Sequence, residues 1–93
     1  MAFFAVTYAY DPELSELADE IRPTHRAFLS DLRDKGLNVA SGPLGGDTPG
    51  ALLIIEAENL DEVEALLDED PFKKAKVVSE RVVRPWNPVI SRF

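Results

Sequence analysis

The sequence predicts a small α+β sandwich whose elements follow the order βαββαβ. Three features predict it: short runs rich in β-branched and aromatic residues, two stretches with apolar residues at helical spacing, and a glycine-rich connection between the two middle runs. With 93 residues, 45% of them hydrophobic, the chain can build one core and not two, so residues 1–93 are expected to form a single domain.

The first run, Phe3 to Ala9, is aromatic and apolar and stops at Tyr10, Asp11 and Pro12, which reads as a strand followed by a turn. From Pro23 to Lys35 the residues Phe28, Leu29 and Leu32 share one helical stripe, with proline suited to the first turn and Gly36 to the C-terminal stop. Leu37 to Leu44 reads as a second strand. The run Gly45, Gly46, Asp47, Thr48, Pro49, Gly50 is turn chemistry, and it leads into a third strand, Ala51 to Ala57, so that strands two and three make a hairpin. Asn59 followed by Glu62 resembles a capping box, and Val63, Leu66 and Leu67 give the second helix its apolar stripe. After Asp70, Pro71 and Phe72 comes a short basic turn. Val77 to Arg84 then forms the fourth strand, closing on Pro85, Trp86, Asn87 and Pro88.

This order is that of a split βαβ, ferredoxin-like sandwich, in which an antiparallel sheet carries both helices on one face. The second face should be polar if water covers it. Instead, strand three places Leu52 and Ile54 on one side with Leu53 and Ile55 on the other, and strand one sets Phe4, Val6 and Tyr8 opposite Phe3 and Ala5. A second copy of the chain is the simplest cover, so a homodimer packed sheet to sheet is expected.

Composition narrows the function classes. Ten Lys and Arg against seventeen Asp and Glu give a net charge of −7, which repels nucleic acid and anionic lipid. No run approaches the roughly 18 apolar residues of a membrane span, and the start carries no basic leader, so no membrane partner and a cytoplasmic location are expected. Cysteine is absent and histidine occurs once, which leaves no thiolate nucleophile and no donor set for a closed zinc site.

The single histidine, His25, falls on the apolar stripe of the first helix with 28, 29 and 32, and so faces inward. Asp70 extends the stripe of the second helix by the same arithmetic, and a carboxylate on a buried face demands a partner. Connectivity supplies one, because the start of the first helix and the end of the second share one end of the sheet. The same end receives Tyr8 and Tyr10, the turn-forming Ser41, Gly42 and Pro43, and Phe72. A carboxylate beside an imidazole fixes its tautomer and stabilises its protonated form, which prepares a general acid or base near neutral pH. Two readings stay open on the residues alone: His25 and Asp70 as a catalytic pair with Tyr8, Ser41, Gly42, Pro43 and Phe72 around a small molecule, or an inward pair that satisfies itself in a non-catalytic binding or accessory module.

Arg22, Pro23, Thr24 and His25 ahead of a helix, then Gly42, Pro43 and Leu44, then Asp70, Pro71 and Phe72, and a last strand closing on Arg84, Pro85 and Trp86 resemble the YciI-like, or YCII-related, family, over Phe3 to about Trp86. The resemblance implies a dimeric α+β barrel and a His25–Asp70 active site. It also implies small-molecule chemistry with no cofactor, one relative being a dehydrochlorinase of a chlorinated hydroxyquinol. Elimination or isomerisation of a small organic acid or phenol is the reaction expected, and the substrate does not transfer with the fold.

Overall fold

Strand alternation decides the layers. In the computed structural model, which describes residues 2–92, strand β1 (Ala2–Tyr10) buries Phe4, Val6 and Tyr8, and β3 (Gly50–Ala57) buries Ala51, Leu53, Ile55 and Ala57 on the same face. The two end residues of the expected 1–93 unit lie outside the described residues. β1 and β3 pair antiparallel with Val6 opposite Leu53 and Tyr8 opposite Ala51. β2 (Asn38–Leu44) adds to β3 and β4 (Val78–Trp86) adds to β1, both antiparallel, giving the order β2-β3-β1-β4. Helices α1 (Ser15–Asp34), α2 (Leu60–Leu67) and α3 (Pro71–Lys74) pack on the buried face, where Leu29, Leu32, Val63, Leu67 and Phe72 complete one core with the strand residues. This is the expected ferredoxin-like α+β sandwich.

The structure corrects the expected first helix. α1 begins at Ser15, two turns before Pro23, after a 3₁₀ turn at Pro12–Leu14 whose cap is the Asp11 carboxylate accepting the Glu13 amide. Leu17, Ala18 and Ile21 pack into the core, so burial carries the helix through the proline. Pro23 itself stands on the exposed side, where its missing amide costs one intrahelical bond.

Other boundaries move for similar reasons. Ser41, Gly42 and Pro43 lie within β2, inside the expected second strand, while Pro85 and Trp86 extend β4 past the expected end at Arg84. Both prolines sit in the edge strands, where a missing ladder donor is tolerated. Gly50 opens β3 pressed so closely on β1 that a Cβ there would collide with the Tyr8 carbonyl oxygen. Asn59 caps α2 as expected, its side-chain oxygen accepting the Glu62 amide at 2.9 Å. The expected basic turn after Phe72 is partly the helix α3.

Candidate active site

Asp70 is fully buried, and it gets there by a route other than the expected one. α2 ends at Leu67, so Asp70 does not continue its stripe. The following Pro71 disfavours helical geometry at position 70, and Asp70 adopts an extended backbone (φ −62°, ψ 127°) as the N-cap of α3. Its Oδ1 accepts the Phe72 amide at 2.9 Å, which turns the carboxylate back into the core.

α1 delivers His25 to the same point, since Ala18, His25, Leu29 and Leu32 are its buried residues and share one face. His25 Nδ1 lies 2.7 Å from Asp70 Oδ1. A carboxylate oxygen accepts, so Nδ1 carries the proton and donates, and Nε2 is left to the other edge of the ring. Nε2 makes no hydrogen bond to a described residue, and His25 is one of the residues that line the cavity beside α1. Phe72 stacks on the imidazole with centroids 3.9 Å apart and planes 4° apart, fixing the rotation of the ring.

The structure corrects the place of Tyr8. It is buried in the core on the helix-covered face and is outside the cavity lining, not beside the small molecule as expected. Its hydroxyl donates to Asp70 Oδ2 at 2.9 Å, so Tyr8 stands behind the pair instead of against a ligand. Burial above all, and then the neighbouring Asp70, push the phenol pKa of Tyr8 well above its ordinary range. The same two causes in the same order raise Tyr10 to about 12. Tyr10 takes the place at the cavity that Tyr8 was expected to hold, its ring meeting Phe72 edge to face at 5.3 Å.

The cavity has a volume of about 630 Å³, within the range of small-molecule sites. It opens between α1 and the outer part of β2, whose residues from Ala40 on are exposed. Ser41, Gly42, Pro43 and Phe72 line it with His25, while Asp70 lies behind the histidine. Sequence reasoning missed Arg22, Arg26 and Arg33, which line it from α1, and Asn38, whose amide nitrogen holds the Leu29 carbonyl at 3.1 Å and Ser41 Oγ at 3.0 Å. The i, i+4, i+11 spacing of the arginines around His25 was the available signal. Among the described residues, no three His, Cys, Asp or Glu side chains gather as a metal site.

A ferredoxin-like sandwich of the dimeric α+β barrel kind, with an imidazole backed by a buried carboxylate at a cavity, defines the class. The chain belongs to the YCII-related domain family, which it matches over residues 1–87. It is 34% identical over 94 residues to the YciI proteins of Escherichia coli O6:H1 strain CFT073 and Shigella flexneri, covering 90% of this chain and 96% of theirs. Among solved structures, 5-chloro-2-hydroxyhydroquinone dehydrochlorinase from Burkholderia phenoliruptrix AC1100, in complex with 2,5-dihydroxybenzoquinone, superposes with a TM-score of 0.78. That match has 29% identity and covers 91% of this chain and 93% of that one. An antibiotic biosynthesis monooxygenase shares the fold alone, with a TM-score of 0.60 at 16% identity over 97% of this chain and 100% of that one.

Proposed function

We propose that the chain is a cofactor-independent acid/base enzyme acting on a small organic acid or phenol, with His25 as the proton carrier. The observation that carries the reading is a cavity-lining imidazole whose Nδ1 is held by a buried carboxylate at 2.7 Å, which leaves Nε2 as the nitrogen that can exchange a proton with a ligand. In an elimination, Nε2 takes a proton from the substrate and the released electron pair expels the leaving group. In an isomerisation, the same nitrogen returns the proton at a second carbon. Asp70 orients the ring and stabilises the imidazolium, Tyr8 and the Phe72 amide hold Asp70, and Phe72, Tyr10, Ser41, Gly42 and Pro43 shape the substrate's place. The likeness to a dehydrochlorinase in complex with a dihydroxybenzoquinone supports elimination from a hydroxylated ring as the first reaction to test.

The test is chloride release from 5-chloro-2-hydroxyhydroquinone, followed by a screen of hydroxylated aromatics and unsaturated acids. His25→Gln keeps an amide donor for Asp70 but has no titratable nitrogen, so the folded variant should lose turnover by about 100-fold or more. Retained turnover discards the mechanism.

One observation favours a second reading, a non-catalytic binding or accessory module. Asp70 already meets three donors, so the pair is also a structural knot. In that case, removing one partner of the buried pair costs roughly 3–5 kcal/mol while ligand binding survives. We further infer that the protein works in the cytoplasm as a homodimer, the open sheet face meeting its copy. Support comes from Leu52, Val82 and Trp86, large apolar residues of that face that are 38%, 40% and 37% exposed.

A further inference from the structure

The wall that α1 gives the cavity is cationic in an acidic chain. Seventeen Asp and Glu outnumber ten Lys and Arg overall, yet the charged side chains of the lining are Arg22, Arg26 and Arg33, and no carboxylate joins them. Two of the three already have a counter-charge outside the lining. Arg22 pairs with Asp19, and Arg33 pairs with Asp34 at 3.1 Å. Arg26 makes no hydrogen bond or ion pair with a described residue, and it is next in sequence to His25. The guanidinium of Arg22 lies 5.9 Å from the centre of Phe72, the ring that stacks on His25, so one positive charge is held near the imidazole while Arg26 lines the same cavity. Phe72, Tyr10, Leu29, Pro43 and Leu53 make the rest of the lining chiefly apolar.

We infer that the cavity selects a small organic anion, an ionised acid group on a ring or short apolar body, with Arg26 as its principal anchor and Arg22 as the second. The inference rests on the proposed use of this cavity and narrows its ligand from acids or phenols in general to the charged acid. Concave low-dielectric walls focus the field of the arginines on the interior, while the surrounding negative surface keeps anions from settling elsewhere. A planar guanidinium also matches the two oxygens of a carboxylate, which a neutral phenol lacks.

Calorimetric titration with 2,5-dihydroxybenzoate and with 2,5-dihydroxybenzamide tests this, since the two probes share a ring and differ in charge. At about 50 mM salt the acid should bind at least about tenfold tighter than the amide, and the advantage should shrink as salt rises. Arg26→Gln, an exposed substitution that leaves the core untouched, should remove most of it, Arg26→Lys should restore part, and Lys35→Gln at the far end of α1 should change little. Equal affinities for the two probes, binding of neither at millimolar concentration, or an equal loss in Lys35→Gln overturns the inference. Because the readout is binding, a protein that takes the acid and turns nothing over keeps the anion site and loses the acid/base mechanism.

Discussion

Asp70 collects donors from parts of the chain 62, 45 and 2 residues away: the Tyr8 hydroxyl, the His25 ring and the Phe72 amide. Such a carboxylate ties β1, α1 and α3 together, and it controls the protons of its neighbours as well as being held by them. Both tyrosines of the chain lie beside it, and both phenols are shifted upward, first by burial and then by the Asp70 charge. A phenol whose folded pKa exceeds its unfolded value binds its proton more tightly when folded. The associated stability is intact below the ordinary value of 10.0 and is lost as pH climbs towards about 12 for Tyr10 and further for Tyr8. Tyrosinate absorbance of the native protein should therefore stay flat through pH about 10 and rise only above it, whereas guanidinium-unfolded chain should titrate near the ordinary value. A native titration that overlays the unfolded one would show both hydroxyls free of Asp70. The burial of His25 was legible because a polar group on an apolar stripe stands out against periodicity, whereas Asp70 was reached by extending a stripe that ends at Leu67. The arginines were not legible, because an arginine on a helix looks the same in sequence whether it faces water or a cavity. Tyr8 was assigned to substrate because its end of the strand was known, but the bond its hydroxyl donates to the Asp70 carboxylate, made across 62 residues, has no local trace.

Local chemistry marks helix ends well where a cap is present and poorly where packing overrides it. Asn59 and Glu62 announced α2, and Gly36, with φ +81°, announced the stop of α1. Pro23 announced a start that does not occur, since Leu17, Ala18 and Ile21 bury enough surface to keep the two preceding turns helical. Proline in a helix interior costs roughly 3 kcal/mol relative to alanine, and the stiffer unfolded chain returns roughly 1 kcal/mol of that. Pro23→Ala should thus raise the unfolding free energy by about 1–2 kcal/mol in denaturant titration, with turnover unchanged because the side chain points away from the cavity. A destabilised Pro23→Ala would mean that the turns before it depend on the proline rather than on the core. The shift of Asp70 from the end of α2 to the cap of α3 belongs to the same scale: Pro71 breaks the helix, and the break is what aims the carboxylate.

At the scale of the molecule, the helices of the described residues fill one side of the sheet and leave the other to its strands. The alternation of β1 and β3 predicted both the buried face and an apolar second one, and Ile54 is only 8% exposed on that second face even in a single chain. Its neighbours in the register are Ala5 and Ala40, with Leu52 and Val82 flanking Thr7 and Trp86 opposite Phe3, so an apolar band crosses all four strands. Glu56, Arg84 and Glu80 lie around it, which is the composition of an interface with an apolar centre and a charged rim. The proposed dimer puts this band against its copy. Leu52→Glu combined with Val82→Glu would set like charges face to face across it, while in the isolated chain both positions are more than a third exposed and can carry a charge at little cost. Sedimentation velocity at micromolar concentration should give twice the chain mass for the unaltered protein and a single chain mass for the double variant, with far-ultraviolet circular dichroism unchanged. An unaltered protein that sediments as one chain removes the dimer, and the apolar band then needs another cover.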